Sequence, residues 1–387
     1  MIQRYLADGG TIDNLLTAYG IKAKRHRSHE NLVLFKYDQI ASPMGEQIVQ
    51  ECRGIILDES AGWSVVACAF HKFFNSGEGH AAAIDWHTAR VQEKVDGSLI
   101  TVYWYAGAWH AASSGTPDGC GSVNGIDQSG TWEPAQGHKM SLPDTFAGYF
   151  WQTLSVRAPG LFKVFEPPRD HCYVFELTGP LNRIVVRHTE ANVTLLAARH
   201  VESGNEIDVG IAGKMLDGQV RVVRSFPLGD IEGVLATFSA MSPLAQEGYV
   251  IVDGKFNRIK VKHPGYVALH HAKDGLTTRA FVEIARSGET SEVIAAFPEL
   301  RPQLDEAKAR LDELIADVER DYATHQHHAV QKDFALAVKG SRCSAALFSV
   351  RSKRVDNVRA FMASTSIDSV MKMLGYKADK PIEIQAE

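Results

Sequence analysis

The sequence predicts an α+β fold, with antiparallel sheets and flanking helices giving way to an all-α C-terminal region. Three observations carry this expectation. From Leu32 to about Lys262, short runs rich in β-branched and aromatic residues alternate with Gly, Pro, Asn and Asp. Near the end of that stretch, Val250-Ile251-Val252 and Ile259-Lys260-Val261-Lys262 lie on either side of Asp253-Gly254, a strong local hairpin signal. After Pro264 the apolar residues recur at helical spacing instead. Two domains are therefore expected, residues 1–265 and 266–387.

Along the chain, Leu6, Leu15, Leu16 and Tyr19 are spaced for short helices broken at Gly9-Gly10. Basic residues follow at Lys22, Lys24, Arg25, His26 and Arg27, read first as a solvated loop and second as a nucleic-acid contact. The stretch from Ser113 to Asp144 is rich in Gly, Ser and Pro and reads as a long irregular loop. Its Gly119, Gly121 and Gly125 do not make a dinucleotide fingerprint. In the C-terminal region, Leu304, Leu311, Leu314, Ile315, Val318 and Tyr322 define the apolar face of one helix. A second helical stretch runs from about Lys332 to Val350, with others through Leu374. From Lys332 to Lys377 there are nine basic residues against three acidic, an excess of +6. A solvated surface is the plain reading, and a nucleic-acid-facing patch is the alternative, because such an excess neutralises several phosphates.

At 387 residues, 45% apolar and 22% charged, the composition is that of a soluble globular protein. The net charge of −5 offers no global attraction for nucleic acid, so any such site has to be a local basic patch. The five cysteines form no CxxC pair, as expected of reduced thiols. No apolar run approaches the ~20 residues of a membrane span, and the N-terminus lacks a signal peptide's apolar core. The expectation is a cytoplasmic monomer.

The chemistry begins at Glu93-Lys94-Val95-Asp96-Gly97-Ser98, a lysine and an Asp-Gly pair set between apolar runs. Gly97 there can adopt a positive φ or let a phosphate approach the backbone. Downstream, Phe175-Glu176 places one carboxylate in a β-rich run, and Gln246-Glu247-Gly248-Tyr249-Val250 precedes the hairpin. In the second hairpin strand the period of two sets Lys260 and Lys262 on one face and Ile259 and Val261 on the other. Each segment alone has an ordinary reading as a surface turn or a solvated strand. Their ordered combination does not arise easily by accident.

In that combination the chain resembles the covalent nucleotidyltransferases, the superfamily of ATP-dependent ligases and RNA-capping enzymes. Lys94 to Ser98 looks like the nucleophile motif, Phe175-Glu176 the third motif, Glu247 to Val250 the fourth, and Lys260-Val261-Lys262 the fifth. Upstream, Cys52-Arg53-Gly54-Ile55-Ile56 and Phe70-His71-Lys72-Phe73-Phe74-Asn75 look like the N-terminal segments of the RNA ligase 1 family of T-even phages, which supply an arginine and a lysine for the ATP phosphates. The resemblance covers roughly residues 45 to 265. It implies an ATP-dependent RNA ligase that joins 5′-phosphate and 3′-hydroxyl ends through lysyl-AMP and RNA-adenylate, in RNA repair with nicked tRNA as a candidate substrate.

A free lysine has a pKa near ~10.4, so only about one in a few thousand is nucleophilic at neutral pH. Lys94 therefore needs cations beside it, and Lys260, Lys262, Arg53 and a divalent metal are the available sources. The resemblance implies that Arg53, Lys72 and Lys260 hold the phosphates. It also implies that Asp96, Glu176 and Glu247 meet Mg²⁺ or Mn²⁺ largely through its waters. Glu176 is also expected at the ribose. Val250 and either Leu195 or Leu196 are expected on the adenine faces, with the backbone around Glu93 at its edge. The catalytic set is thus Lys94, Asp96, Glu176, Glu247, Lys260 and Lys262. The nucleotide set adds Arg53, Lys72, Glu93, Gly97 and Val250.

Other patterns are rejected. Thr324-His325-Gln326-His327-His328 has no acid or cysteine spaced to complete a metal site. Gly210 to Met215 lacks the glycine spacing and the Ser/Thr of a phosphate loop. A DNA ligase or capping enzyme would continue into short strands after the last lysine motif, whereas this chain turns helical. A non-catalytic nucleotide sensor or RNA-binding module would tolerate substitutions among Lys94, Glu176, Glu247, Lys260 and Lys262, and all five are intact.

Overall fold

The computed structural model describes residues 1–39, 41–123, 131–132, 137, 140–271, 277–288, 290–296 and 298–376. The chain divides into two compact units, residues 1–37 with 44–262 and residues 38–43 with 263–387. Gly125 and Lys377, both singled out in the sequence, lie outside the described residues.

In the first unit, helices α1 (Ile2–Ala7) and α2 (Ile12–Tyr19) precede strands β1 (Ile21–Arg25) and β2 (Leu32–Tyr37). The Thr11 hydroxyl caps α2 by accepting from the Asn14 N–H at 3.1 Å, and Gly20 at φ 66° ends it. Helix α3 (Gln47–Glu51) then leads to β3 (Arg53–Asp58) and β4 (Ser64–Ala67), which complete an antiparallel sheet in the order β1-β2-β3-β4. After β5 (Phe74–Asn75), β6 (Arg90–Lys94) and the hairpin β7 (Ser98–Tyr105) and β8 (Ala108–Ser113) follow. The predicted irregular loop contains a small ribbon, β9 (Thr131–Trp132) with β10 (Met140–Ser141). Helix α4 (Phe146–Arg157), β11 (His171–Thr178), β12 (Asn192–His200), β13 (Glu206–Ile207), α5 (Val209–Met215), β14 (Arg221–Val222), β15 (Ser225–Phe226) and α6 (Ile231–Ala236) come next. The hairpin β16 (Gly248–Val252) and β17 (Arg258–Lys262) ends the unit.

Two sheets matter for the site. A six-stranded sheet runs β13-β12-β11-β7-β8, with β14 added beside β12. Its inner face buries Ile100, Phe175, Leu177 and Leu195 against Tyr149, Phe150 and Leu154 of α4 and Ala212 of α5. A five-stranded sheet runs β15-β6-β16-β17-β5. Val91, Tyr249, Ile251, Ile259 and Val261 cover its apolar face together with Val234 of α6. The alternation in β17 is the predicted one, with Ile259 and Val261 buried and the intervening basic residues half-exposed.

The hairpin turn differs from a two-residue Asp-Gly connection. Val252 and Arg258 form the last pair, which leaves a five-residue loop. Asp253 organises it, its Oδ1 accepting from the N–H groups of Lys255 and Asn257 at 2.9 Å each. The left-handed position is taken by Phe256 at φ 63° and not by Gly254.

The second unit is helical: α7 (Pro264–His271), α8 (Thr278–Ser287), α9 (Thr290–Ala296), α10 (Arg301–His325), α11 (Gln331–Ala337), α12 (Ser344–Arg351), α13 (Val358–Ser364) and α14 (Ile367–Met373). Leu304, Leu311, Leu314, Ile315 and Val318 of α10 form the centre of its core with Phe281, Ile284, Leu347 and Met362. The helical stretch expected from Lys332 to Val350 is broken into α11 and α12 around Gly340. The +6 excess is partly neutralised within the unit. Arg342 pairs with Asp317 at 2.8 Å and Arg359 with Asp312 at 2.6 Å, both acids on α10 and outside the counted window. Arg351 donates to the backbone carbonyls of His328 and Ala329. Lys332, Lys339, Lys353, Arg354 and Lys372 remain exposed. Among the described residues no helix is long and apolar enough to cross a membrane.

Candidate active site

The strand register of the five-stranded sheet assembles most of the predicted residues. Gly248 pairs with Lys94 on one side and Lys262 on the other, and Val250 pairs with Gln92 and Lys260. Cross-strand partners share a face, so Lys94, Lys260, Lys262 and Val250 all point away from the apolar core. Gly248 sits between the two lysines at φ 146°, a backbone conformation that favours glycine.

Glu247, just before that row, is the acid between the lysines. Lys94 donates to its Oε2 at 2.5 Å, and Lys262 Nζ is 4.0 Å from its Oε1. The Glu247 side chain is only 7% exposed, against 22% for Lys94 and 27% for Lys262. A buried carboxylate without those ammonium groups would carry a large desolvation cost, so the three groups are mutually dependent.

Lys260 lies deeper in a cluster of like charges. Burial, with Lys72, Lys262 and Lys94 nearby, draws its ammonium down to about 7. Lys72 is also lowered, first by burial and then by Arg53, and its Nζ lies 5.3 Å and 5.4 Å from the ring centres of Tyr37 and Phe74. Arg53, at the start of β3, has its guanidinium 4.6 Å from the centre of the Phe73 ring. Its Nη1 is buried without a hydrogen-bond partner. A buried, unsatisfied guanidinium nitrogen beside other cations is a built-in demand for an anion.

Glu176 comes from the other sheet. On β11 it pairs with Leu99 and Thr194, on the face opposite Phe175 and Leu177. Burial pushes its carboxyl up to about 8; Lys94 opposes the rise and Glu247 adds to it. Glu176 and Lys260 are thus poised near neutrality with opposite charge logic, an arrangement common in functional sites.

The structure gives Asp96, Gly97, Glu93 and the two leucines particular surroundings. Asp96 is 4% exposed, and its Oδ2 accepts from the backbone N–H groups of Val185 at 3.0 Å and Val186 at 2.8 Å. It ties the nucleophile loop to the segment after β11. Among the described residues no three His, Cys, Asp or Glu side chains come together as a metal site. Gly97 has no positive φ; a Cβ there would lie 2.4 Å from the Leu177 carbonyl oxygen, so its smallness admits the neighbouring strand. Glu93 faces away from the lysines: its N–H donates to the Arg224 carbonyl at 2.8 Å, and its carboxylate pairs with Arg221 at 3.2 Å and Arg224 at 3.5 Å. That N–H is therefore unavailable to read a base. Of the two leucines, Leu195 is fully buried in the inner core, whereas Leu196 packs with Phe70, Phe73, Leu99 and Val174 on the opposite face.

Sequence reasoning missed the supports. Asn182 donates to the Leu177 carbonyl at 2.7 Å and to Ser98 at 3.1 Å, bracing β7 against β11. Arg258 and Glu206 form a buried two-pronged ion pair, with Arg258 Nη1 2.8 Å from Glu206 Oε2. Neither pair has a local signal, because the partners are 84 and 52 residues apart.

The sequence pattern of a family described as RNA ligase matches residues 51–266, more than half of the chain. The chain belongs to the RNA ligase family. The match contains every site residue from Arg53 to Lys262. An RNA ligase of Rhodothermus phage RM378 is 24% identical over 346 residues, covering 76% of this chain and 75% of that protein. A protein of Autographa californica nuclear polyhedrosis virus, whose name pairs polynucleotide kinase with RNA ligase, is 26% identical over 318 residues. That similarity covers 78% of this RNA ligase and 42% of the viral protein. Among solved structures, an archaeal ATP-dependent RNA ligase superposes with a TM-score of 0.47 at 15% identity, covering 78% of each chain.

Proposed function

We propose that this RNA ligase is ATP-dependent and seals RNA 5′-phosphate to 3′-hydroxyl ends through lysyl-AMP and RNA-adenylate. The observation that carries the reading is the Lys94–Glu247–Lys262 row, with Lys260 beside it on the same sheet face. Lys94 Nζ is the nucleophile toward the α-phosphorus, and pyrophosphate leaves opposite it. Glu247 is placed to hold the proton that Nζ gives up. Lys260, Lys72 and the unsatisfied Arg53 Nη1 neutralise the phosphates. Val250 and Leu196 flank the base, and Glu176 serves the ribose.

A divalent ion, Mg²⁺ or Mn²⁺, is the expected companion of the nucleotide. With no three-acid cage among the described residues, it would draw ligands from phosphate oxygens and water, with Glu176 and Glu247 beyond those waters. Its chemistry would be neutralisation of phosphate charge. The helical C-terminal domain, from about residue 266, is proposed to select the RNA, with tRNA repair as the setting. The exposed Lys332, Lys339, Lys353, Arg354 and Lys372 are its candidate phosphate contacts.

The test is incubation of purified protein with labelled ATP and divalent metal, followed by a search for an acid-labile AMP adduct. Adding 5′-phosphorylated RNA or DNA then separates a ligase from a nucleotide sensor, and RNA from DNA specificity. A well-folded truncated chain ending near Pro264 is expected to adenylate but to lose preference for structured RNA. Retention of that preference would overturn the role given to the helical domain.

A further inference from the structure

Beside the lysine face is a cleft of about 410 Å³, lined by the whole Phe70–Phe74 segment, Arg199, Glu206 and the hairpin residues Lys255 to Arg258. Its size is within the usual range for small-ligand sites. Lys72, Arg199, Lys255 and Arg258 contribute four positive charges against the single carboxylate of Glu206, which Arg258 already neutralises. A local excess of +3 in a chain of net charge −5 marks an anion path. Three of its four phenylalanines have a cation over the ring: Arg258 on Phe70, Arg53 on Phe73 and Lys72 on Phe74. Among the described residues Phe256 has none, and its backbone holds a left-handed φ of 63° at the hairpin tip, where Asp253 organises the loop. Lys255 beside it is exposed and makes no ion pair among the described residues. An uncapped aromatic ring next to an unpaired lysine suits a nucleobase and its phosphate.

In-line displacement says which strand arrives here. In the first step Lys94 attacks the α-phosphorus and pyrophosphate departs from the opposite side, toward Lys72 and Arg53. In the second step a 5′-phosphate oxygen forms a P–O bond to the same phosphorus while the P–N bond breaks and Nζ regains its proton. The incoming phosphate therefore has to enter where pyrophosphate left. The cleft opens from Lys72, and β17 spans about 13 Å between Lys262 and Arg258. That length accommodates the first few nucleotides.

We propose that this cleft binds the 5′-phosphorylated RNA strand, with its terminal phosphate at Lys72 and its leading bases against Phe256 and Lys255. The inference rests on the ATP-dependent ligase reading above. Lys255→Glu and Phe256→Asn test it in the full chain; asparagine tolerates a left-handed backbone, so the ring is removed without strain. Adenylation from ATP should stay within roughly two-fold, while AMP transfer to a 5′-phosphorylated oligoribonucleotide falls about ten-fold or more through a raised KM. Transfer to a nucleoside 3′,5′-bisphosphate, which stops short of Phe256, should change far less. Failure of the unaltered protein to form lysyl-AMP would defeat the ligase reading itself. Normal transfer by both folded variants would overturn the cleft assignment alone. So would a defect confined to adenylation, which makes the cleft an ATP subsite. With pre-adenylated donor supplied, a defect relieved only by raising the 3′-hydroxyl strand would assign the cleft to that strand instead.

Discussion

Binding of a nucleotide triphosphate should draw a proton onto Lys260. In the free protein this ammonium sits at about 7, because burial and the charges of Lys72, Lys262 and Lys94 disfavour it. At pH 8 it is then only about 10% protonated. A polyanion placed among these cations reverses the balance and restores the proton, giving an uptake of about 0.9 proton from this residue. Glu176, pushed up to about 8, is half-protonated at the same pH, and nearby phosphate charge raises it further. The total therefore lies between about 0.9 and 1.4 protons per nucleotide. The assay is calorimetric titration with the unreactive α,β-methylene analogue of ATP in two buffers of different ionisation enthalpy, whose difference in heat reports the proton count. Lys260→Met should remove most of the uptake, and Glu176→Gln only the smaller part. Uptake near zero in the unaltered protein, or unchanged by Lys260→Met, would refute the placement of a depressed lysine in the phosphate site.

The same cluster predicts a stability effect. The folded-state value of Lys260 lies below that of a free lysine, so the unfolded chain binds more protons between about pH 7 and 10, and stability rises with pH across that window. Lys260→Met should accordingly stabilise the nucleotide-free protein most below pH 7, on the order of 5 kcal/mol, and hardly at all near pH 10.5, as read from denaturant midpoints. Lys94→Ala and Lys94→Arg should both abolish the AMP adduct seen by intact mass, since a guanidinium does not deprotonate in this range; residual adduct would place the nucleophile elsewhere. Gly97→Ala forces a methyl within 2.4 Å of the Leu177 carbonyl oxygen and should destabilise the protein by about 1–3 kcal/mol, with an unchanged melting temperature as the contrary result. Arg53→Ala should impair adenylation from ATP more than sealing of a pre-adenylated RNA, with equal losses assigning it to the AMP phosphate or to folding; Lys72→Ala, which also removes the contact proposed for the donor 5′-phosphate, should impair both reactions, and a loss confined to adenylation would remove Lys72 from the donor site.

Much of this protein was legible in its residues, for local reasons. The switch from short β runs to helical spacing near residue 264 and the alternation in β17 follow from side-chain periodicity, which a linear sequence displays directly. The order of Lys94, Glu176, Glu247, Lys260 and Lys262, which carries the RNA ligase resemblance, is likewise present in the linear sequence. Only tertiary structure decided which partners those residues meet. The register Lys94–Gly248–Lys262 brings together residues more than 150 positions apart, and a shift of one residue would have turned both lysines into the core. That Asp96 Oδ2 accepts from the amides of Val185 and Val186 has no local signal, because a buried N–H needs an acceptor wherever the chain places it. The +6 excess of the C-terminal region likewise fell short as a charge count, since Arg342 and Arg359 reach acids on α10 that no sequence window joins to them. Spacing along the chain sets the face on which a side chain stands; packing between distant segments sets what faces it, and from that come the charge and the availability of each group.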